Sequence, residues 1–364
     1  MSGPRRVTVL IDSLIPGGAE RVAVDVAAFL DPDRYVAHLL VTRSSGALEA
    51  RVRELGLEYT ILGRRRGFHP RLFAQARAIV GDSHILHAHK FAGSAWGSLL
   101  ARSARRPLIA HEHIPEGESV VARRTIYPLL IGPTARRVVC VSTSIAEVLR
   151  KSGVPASKLV VIPNGVPVAG MLDRAAARAE LGLDPGRVIV GMVARLRLQK
   201  RHDLALRSLA ELRRRGRDLQ LCVVGDGPLA EDLHRLARDL SVDDVVVFAG
   251  DRRDAGRLLP AFDVSLLTSS YEGMPLAVLE ALVAGVPVVS TDLPVMRELL
   301  ADGGGLIAKQ DSPGGVADAV EAALDAQNRG ADPAAVDVRR RRFGIERLVD
   351  DLQALYDGVI GDAP

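Results

Sequence analysis

Short apolar runs and amphipathic stretches alternate along the chain. Strand-like runs read RVTVLID (6–12), YVAHLLVT (35–42), HILHAH (84–89), PLIAHEH (107–113), RVVCVS (137–142) and LVVIP (159–163). Among them lie AERVAVDVAAFL (19–30), LFAQARAIV (72–80) and TSIAEVLRKSG (143–153), with apolar residues at helical spacing. Near-continuous apolar strands alternating with helices predict a parallel sheet covered on both faces. Pro167, Gly170, Pro185 and Gly186 interrupt the pattern and predict a linker over 164–186. The pattern then restarts with VIVGMVA (188–194), LQLCVVG (219–225), VVVFAG (245–250), FDVSLLT (262–268), VPVVS (286–290) and GLIA (305–308). The expected fold class is α/β, with two Rossmann-like doubly wound domains over 1–166 and 167–343. Ligands of such sheets bind at the carboxyl ends of the strands.

Composition narrows the classes. The 364 residues, a quarter of them charged, suffice for two α/β domains. Residues 1–170 hold 23 Lys+Arg against 13 Asp+Glu, a net of +10, while the remainder is net −6. A basic front half suits a membrane surface, a lipid-phosphate acceptor or nucleic acid. With only 4% aromatic residues and no stacking motif beside the arginines, no nucleic acid is expected. Cys140 and Cys222 sit in apolar runs at no metal-ligand spacing, which reads as buried thiols in a reducing compartment. The opening VTVLI is too short for a signal peptide, and no apolar run approaches membrane-spanning length. A cytoplasmic protein is expected.

The segment SSYEGMPLAVLEALVAGVPVVS (269–290) carries the most chemistry. Pro275 fits a first helical position, Leu276, Leu279, Ala281, Leu282 and Val283 follow at helical spacing, and Gly285 closes the helix. Glu272 then precedes a helix N-terminus and Glu280 lies about two turns along. Carboxylates beside free backbone N–H groups can hold a polar, partly anionic ligand; an ordinary N-terminal acid and a solvated helix Glu fit the same spacing.

This segment resembles the E-x7-E donor-site signature of retaining GT-B glycosyltransferases, particularly glycosyltransferase family 4. The resemblance spans nearly the whole chain through further segments in the same order. It implies that Glu272 orients the hydroxyls of a donor sugar and Glu280 holds the nucleotide ribose, with Gly273, Met274, Pro275 and Leu276 completing that wall. It also implies a final helix, over 344–364, that returns toward the N-terminal domain.

Gly17 and Gly18 follow the first strand and open a helix. Paired glycines permit positive φ and close approach of a phosphate to a helix N-terminus, although a plain structural turn has the same look. The absence of G-x-G-x-x-G argues against a dinucleotide enzyme. GGAE is similar to the family's glycine loop, which favours donor contact. Arg195 and Lys200, in ARLRLQKRHD after a strand, are placed to grip a diphosphate, or else form a solvated basic turn. Their segment resembles the family's G-R-L-x-x-x-K-G, with Ala194 and Arg201 in place of its glycines, and the family's diphosphate-binding pair is intact. Gly225 and Gly227 in VVGDGP mark a tight turn that would let a flat base approach the backbone. The strand containing Phe248 resembles the one whose main chain reads the base. VIPNGVP, with Pro167 where Asp is common, resembles the family's interdomain linker and reads as a hinge.

Four histidines end two strands: His87 and His89 on one, His111 and His113 on the other, each pair on one face. Strand-end histidines are commonly structural, and no carboxylate or cysteine spacing supports a metal here. By resemblance His113 matches the family's N-domain active-site histidine, and His89 and His111 are candidate acceptor contacts. Arginine clusters at 63–71 and 122–137 flank first-domain loops, the second around IYPLLI (126–131). An apolar patch edged by arginines settles on anionic lipid, and a core helix with solvated ends has the same sequence.

The resemblance implies a retaining, metal-independent transferase. It would move a sugar from a UDP- or GDP-linked donor to an acceptor hydroxyl, in lipid-linked, polysaccharide or other cell-envelope glycoconjugate synthesis. No cofactor is implied beyond the nucleotide sugar as co-substrate. Catalysis would rest on His113, Glu272, Arg195 and Lys200, at the inner face of the plasma membrane. A nucleotide-sugar epimerase, a sugar phosphorylase and a non-catalytic sugar-nucleotide-binding subunit are the alternatives, since one fold hosts several functions.

Overall fold

A computed structural model describes residues 3–65, 69–113, 125–327 and 332–361, apart from the side chain at 327. The chain forms two compact units: residues 1–165 together with 345–364, and residues 166–344.

The first unit is built on a seven-stranded parallel sheet. Its strands are β1 (Arg5–Ser13), β2 (Tyr35–Ser44), β3 (Glu58–Ile61), β4 (Ile85–His89), β5 (Leu108–Glu112), β6 (Arg137–Cys140) and β7 (Leu159–Val161), in the order β3-β2-β1-β4-β5-β6-β7. β1, β4 and β5 lie inside the sheet; every residue of β4 and β5 is buried, as are Val7 to Ile11 of β1, so their apolar residues and their histidines alike are taken out of water. β3 was not among the expected strands. Its Glu58-Tyr59-Thr60-Ile61 is an edge strand with no fully buried residue, so no apolar run announces it.

The helix Ile345–Gly361 packs on this unit through Ile345, Leu348, Val349, Leu352, Tyr356 and Val359. Burying such a side chain contributes about 1.5–3 kcal/mol, so this stripe is the main attachment. Polar contacts set its register. Asp357 pairs with Arg5 at 2.5 Å and Arg34 at 2.5 Å, and Gln353 accepts the Asp31 N–H at 2.8 Å.

The second unit holds six parallel strands: β8 (Val188–Val193), β9 (Leu219–Val224), β10 (Val246–Gly250), β11 (Val264–Leu267), β12 (Val288–Ser290) and β13 (Gly305–Ile307), in the order β10-β9-β8-β11-β12-β13. Order reverses between β8 and β11, the switch point at which such sheets bind ligands. The expected linker over 164–186 is not all irregular. It contains the helix Arg174–Glu180, capped where the Asp173 carboxylate accepts the Ala176 N–H at 2.9 Å. Arg178 from that helix is buried against Asp263 at 2.7 Å, which ties the segment into the unit. Among the described residues no helix is long and apolar enough to cross a membrane.

Candidate active site

In the second unit the polar side chains converge at the carboxyl ends of β8 and β11. Lys200 Nζ lies 2.5 Å from Glu272 Oε1, and the Ser269 hydroxyl donates to the same oxygen at 2.6 Å. Glu272 is nearly buried, its side chain 5% exposed, while that of Lys200 is 19% exposed. The cation therefore compensates a carboxylate that would otherwise be costly to bury.

The backbones of both residues are fixed by hydrogen bonds between the two strand ends. The Thr268 hydroxyl donates to the Lys200 and Arg201 carbonyls, each at 2.9 Å. The Ser270 N–H donates to the Gln199 carbonyl at 2.8 Å, and Gln199 Nε2 returns a bond to the Tyr271 carbonyl at 2.8 Å. The Thr291 hydroxyl holds the Ser269 carbonyl at 2.7 Å. Motif and spacing bring Lys200 and Glu272 forward in the sequence but pass over Thr268, Ser269 and Gln199. The signal available was the hydroxyl run TSS closing an otherwise apolar strand. Arg195 sits on the loop leaving β8 with an exposed side chain.

The helix after Glu272 spans Leu276–Ala284. Pro275 is its N-cap (φ −72°, ψ 118°), one place before the position expected for it. Glu280 is the fifth helical residue, so it lies little more than one turn along, not two. It is not solvated but buried, at 3% exposure. Gly256 makes room for it: a Cβ there would lie 2.7 Å from Glu280 Oε1. Gly273, Met274, Pro275 and Leu276 are all buried. Gly285 ends the helix in the left-handed conformation (φ 77°), as its position predicts.

Gly225 and Gly227 have a structural reason of their own. A Cβ on Gly225 (φ 143°) would run into the Ala194 carbonyl, and one on Gly227 would lie 2.5 Å from the Leu196 carbonyl. The Cβ direction of each glycine is thus taken by the loop that carries Arg195. Phe248 lies on β10, an edge strand whose main chain is paired on one side only, and its ring packs on His234 with centroids 4.0 Å apart.

In the first unit the glycine loop departs from expectation. Gly17 is the extended N-cap (φ −161°) and Gly18 begins the helix Gly18–Phe29, so neither uses positive φ. Gly17 is small because the Glu20 carboxylate occupies the space of its missing side chain. Glu20 is buried and pairs with Lys90 Nζ at 2.8 Å. Lys90, the residue after His89, itself takes a left-handed backbone (φ 65°).

The four histidines form a buried block at the ends of β4 and β5. His87 Nε2 and His111 Nδ1 are 3.2 Å apart, and His89 Nδ1 and His113 Nε2 are 3.0 Å apart. The two pairs lie over one another, with His87–His89 and His111–His113 centroids at 4.4 and 4.3 Å. Burial disfavours the imidazolium and pushes His87 and His113 down to about 3. His89 and His111 are held well below their ordinary value by burial and by the neighbouring imidazoles. Candidate ligand atoms of His87, His89 and His111 lie within 4.8 Å of one another. A tetrahedral ion with nitrogen ligands needs them about 3.3 Å apart. The facing nitrogens of His87 and His111, and of His89 and His113, lie at hydrogen-bonding distance, so the block is arranged for hydrogen bonding.

Of the arginine clusters, residues 66–68 and 122–124 lie outside the described residues. Tyr127–Ile131 forms a π-helical turn with Tyr127 and Ile131 buried and Leu129 70% exposed. Lys158 Nζ binds the carbonyls of Gly132 at 2.7 Å and Ala135 at 2.9 Å. Burial, together with Arg136 and Arg137, lowers its pKa.

Two parallel α/β units with a buried carboxylate–cation pair at the switch point of the second define a ligand-binding class of the doubly wound type. Comparison with known proteins makes the class specific. Residues 16–169 match the family model Glycosyltransferase Family 4, and residues 173–335 match Glycosyl transferases group 1. A D-inositol 3-phosphate glycosyltransferase 2 of Catenulispora acidiphila is 30% identical over 314 residues, covering 76% of this chain and 73% of that protein. A D-inositol 3-phosphate glycosyltransferase of Nocardia farcinica is 30% identical over 280 residues, covering 70% of this chain and 62% of that protein. The crystal structure of Anabaena HepE (Alr3699) with UDP and glucose superposes with a TM-score of 0.85 at 22% identity, covering 96% of this chain and 99% of that one. The chain belongs to glycosyltransferase family 4 and has the GT-B fold.

Proposed function

We propose that this glycosyltransferase takes its sugar from a nucleoside diphosphate, UDP or GDP, and transfers it to an acceptor hydroxyl with retention of configuration and without a metal. The observation that carries the reading is the Lys200–Glu272 pair, held at the sheet's switch point just before the helix Leu276–Ala284. A diphosphate would draw Lys200 and Arg195, and the helix N-terminus would add its dipole, giving charge stabilisation at the leaving group. Glu272 would accept bonds from sugar hydroxyls. Glu280 would serve the ribose, and the one-sided main chain of β10 at Phe248 the base. The HepE crystal's UDP and glucose support a nucleotide donor. The second unit is the donor unit in this reading. The first is the acceptor unit, with His89, His111 and His113 as its candidate contacts and Gly17 and Gly18 as its glycine loop.

The acceptor is a lipid-linked or envelope glycoconjugate, reached from the cytoplasmic face of the membrane. Exposed Leu129, in the same segment of chain as Arg136 and Arg137, supports that contact, since apolar tips and basic side chains act together on anionic lipid. A thermal-shift panel of UDP-, GDP- and ADP-sugars tests the donor claim: stabilisation by one base series is expected, and none by any series overturns it. Flotation with anionic but not neutral vesicles is expected. Equal behaviour with both removes the membrane contact.

A further inference from the structure

Glu272 Oε1 receives two bonds, from Lys200 Nζ and from the Ser269 hydroxyl, while Oε2 receives none among the described residues. The two partners differ in what a ligand can do to them. Lys200 is a cation on a flexible stem and partly exposed, so an arriving diphosphate competes for it directly. Ser269 is buried at 1% exposure. Its main chain is held by the Thr291 hydroxyl, and its side chain reaches three residues ahead to the carboxylate. Once Lys200 turns to phosphate, Ser269 is the remaining described contact that fixes the carboxylate's rotation. Without it, Glu272 would be a nearly buried carboxylate free to turn about its last torsion, which is a broad one.

We propose that Ser269 is a positioning residue for donor-sugar recognition. It keeps Oε1 of Glu272 engaged when Lys200 leaves, so that Oε2 is presented to a hydroxyl of the transferred sugar. Thr268, the neighbouring hydroxyl, has a separate task. It bonds the Lys200 and Arg201 carbonyls and so places the phosphate-binding cation. One strand end thus divides its hydroxyls between the two halves of the donor, Thr268 for the diphosphate and Ser269 for the sugar. The inference rests on the donor-site reading of this unit.

The division is read by binding, not turnover. Calorimetric Kd values are measured for UDP and UDP-glucose, and for GDP and GDP-mannose, on the wild type, Ser269→Ala, Ser269→Thr and Thr268→Val. Ser269→Ala should weaken the sugar nucleotide about tenfold while the matching diphosphate stays within about twofold, the size of one charge-assisted bond. Ser269→Thr, which keeps the hydroxyl, should recover most of the loss. Thr268→Val should weaken diphosphate and sugar nucleotide by the same factor. Retained diphosphate affinity shows that the Ser269 variant is folded. Equal losses for both ligands with Ser269→Ala, or no loss for either, overturn the assignment of Ser269 and leave the donor site standing. If the wild type binds neither ligand pair, the donor-site reading falls, and this inference with it.

Discussion

The Tyr356 hydroxyl lies 2.6 Å from Nδ1 of His87, both fully buried, and His87 is its only hydrogen-bond partner among the described residues. That contact fixes two tautomers in series. A neutral imidazole has one donor and one acceptor nitrogen. If the phenol donates to Nδ1, His87 carries its proton on Nε2 and donates to His111 Nδ1. His111 is then protonated at Nε2, which has no partner among the described residues. The reverse direction would strand the phenolic proton in a buried site and still leave His111 Nε2 without a partner among the described residues, two unsatisfied groups against one. Tyr356→Phe removes the choice and leaves Nδ1 of His87 unpaired, at a cost of about 1–3 kcal/mol. Imidazole nitrogen NMR should show Nε2–H on both histidines in the wild type and mixed tautomers in the variant. A wild-type His111 protonated at Nδ1 would falsify this order of donors.

The same block makes stability depend on pH. In the unfolded chain each imidazole ionises near 6.5, whereas His87 and His113 are held at about 3 by burial and His89 and His111 well below 6.5. Below that value the unfolded state takes up protons that the folded state refuses. The stabilisation is therefore complete above about pH 6.5 and lost progressively as pH falls toward about 3, by up to about 1.4 kcal/mol per pH unit for each histidine. Urea midpoints should drop between about pH 7.5 and about pH 5.5, and His87→Asn should flatten the slope by as much as one proton. A variant with the wild-type slope removes His87 from the account.

Lys200→Ala separates the structural and functional worth of the donor-site pair. Glu272 keeps Ser269 but loses its cation, so unfolding should become easier by about 1–3 kcal/mol, with the fold retained. Transfer should fall at least about a hundredfold, the scale for removing one group that stabilises leaving-group charge. Lys200→Ala combined with Glu272→Gln should regain stability and no activity. Calorimetry and donor turnover read the two effects separately. Near-normal turnover in Lys200→Ala would exclude a role for this cation.

How far the sequence revealed this arrangement depended on what each residue contacts. Most strands of both sheets were legible because burial on both faces favours largely apolar runs. β3 escaped because an edge strand needs none. Lys200 and Glu272 carried a motif and could be found, but their contact is a tertiary fact. Ser269 and Thr268 were passed over because hydroxyls after a strand are common, and only the meeting of two strand ends gives these a task. Gly17 misled for a related reason. Its smallness looked like backbone freedom, whereas the structure uses it to seat the Glu20 carboxylate. The pairing of Tyr356 with His87, residues 269 positions apart, has no local signature at all.

Glycine substitutions test these different uses directly. Gly17 has an extended backbone that any residue adopts, and what a new Cβ would meet is the end of a flexible Glu20 side chain. Gly17→Ala should therefore cost less than about 1 kcal/mol, the carboxylate moving aside and its bond to Lys90 weakening. Gly225 differs on both counts. Its φ of 143° disfavours any side chain, and the obstruction is the Ala194 carbonyl, part of a main chain that also bonds to Val224 at 3.0 Å. Gly225→Ala must move the loop carrying Arg195 or strain its own backbone, so a loss of about 2–4 kcal/mol is expected, with weaker diphosphate binding. Denaturant unfolding of the two variants side by side reads the contrast. Equal losses would mean that the space at Gly225, like that at Gly17, is bounded by groups that yield.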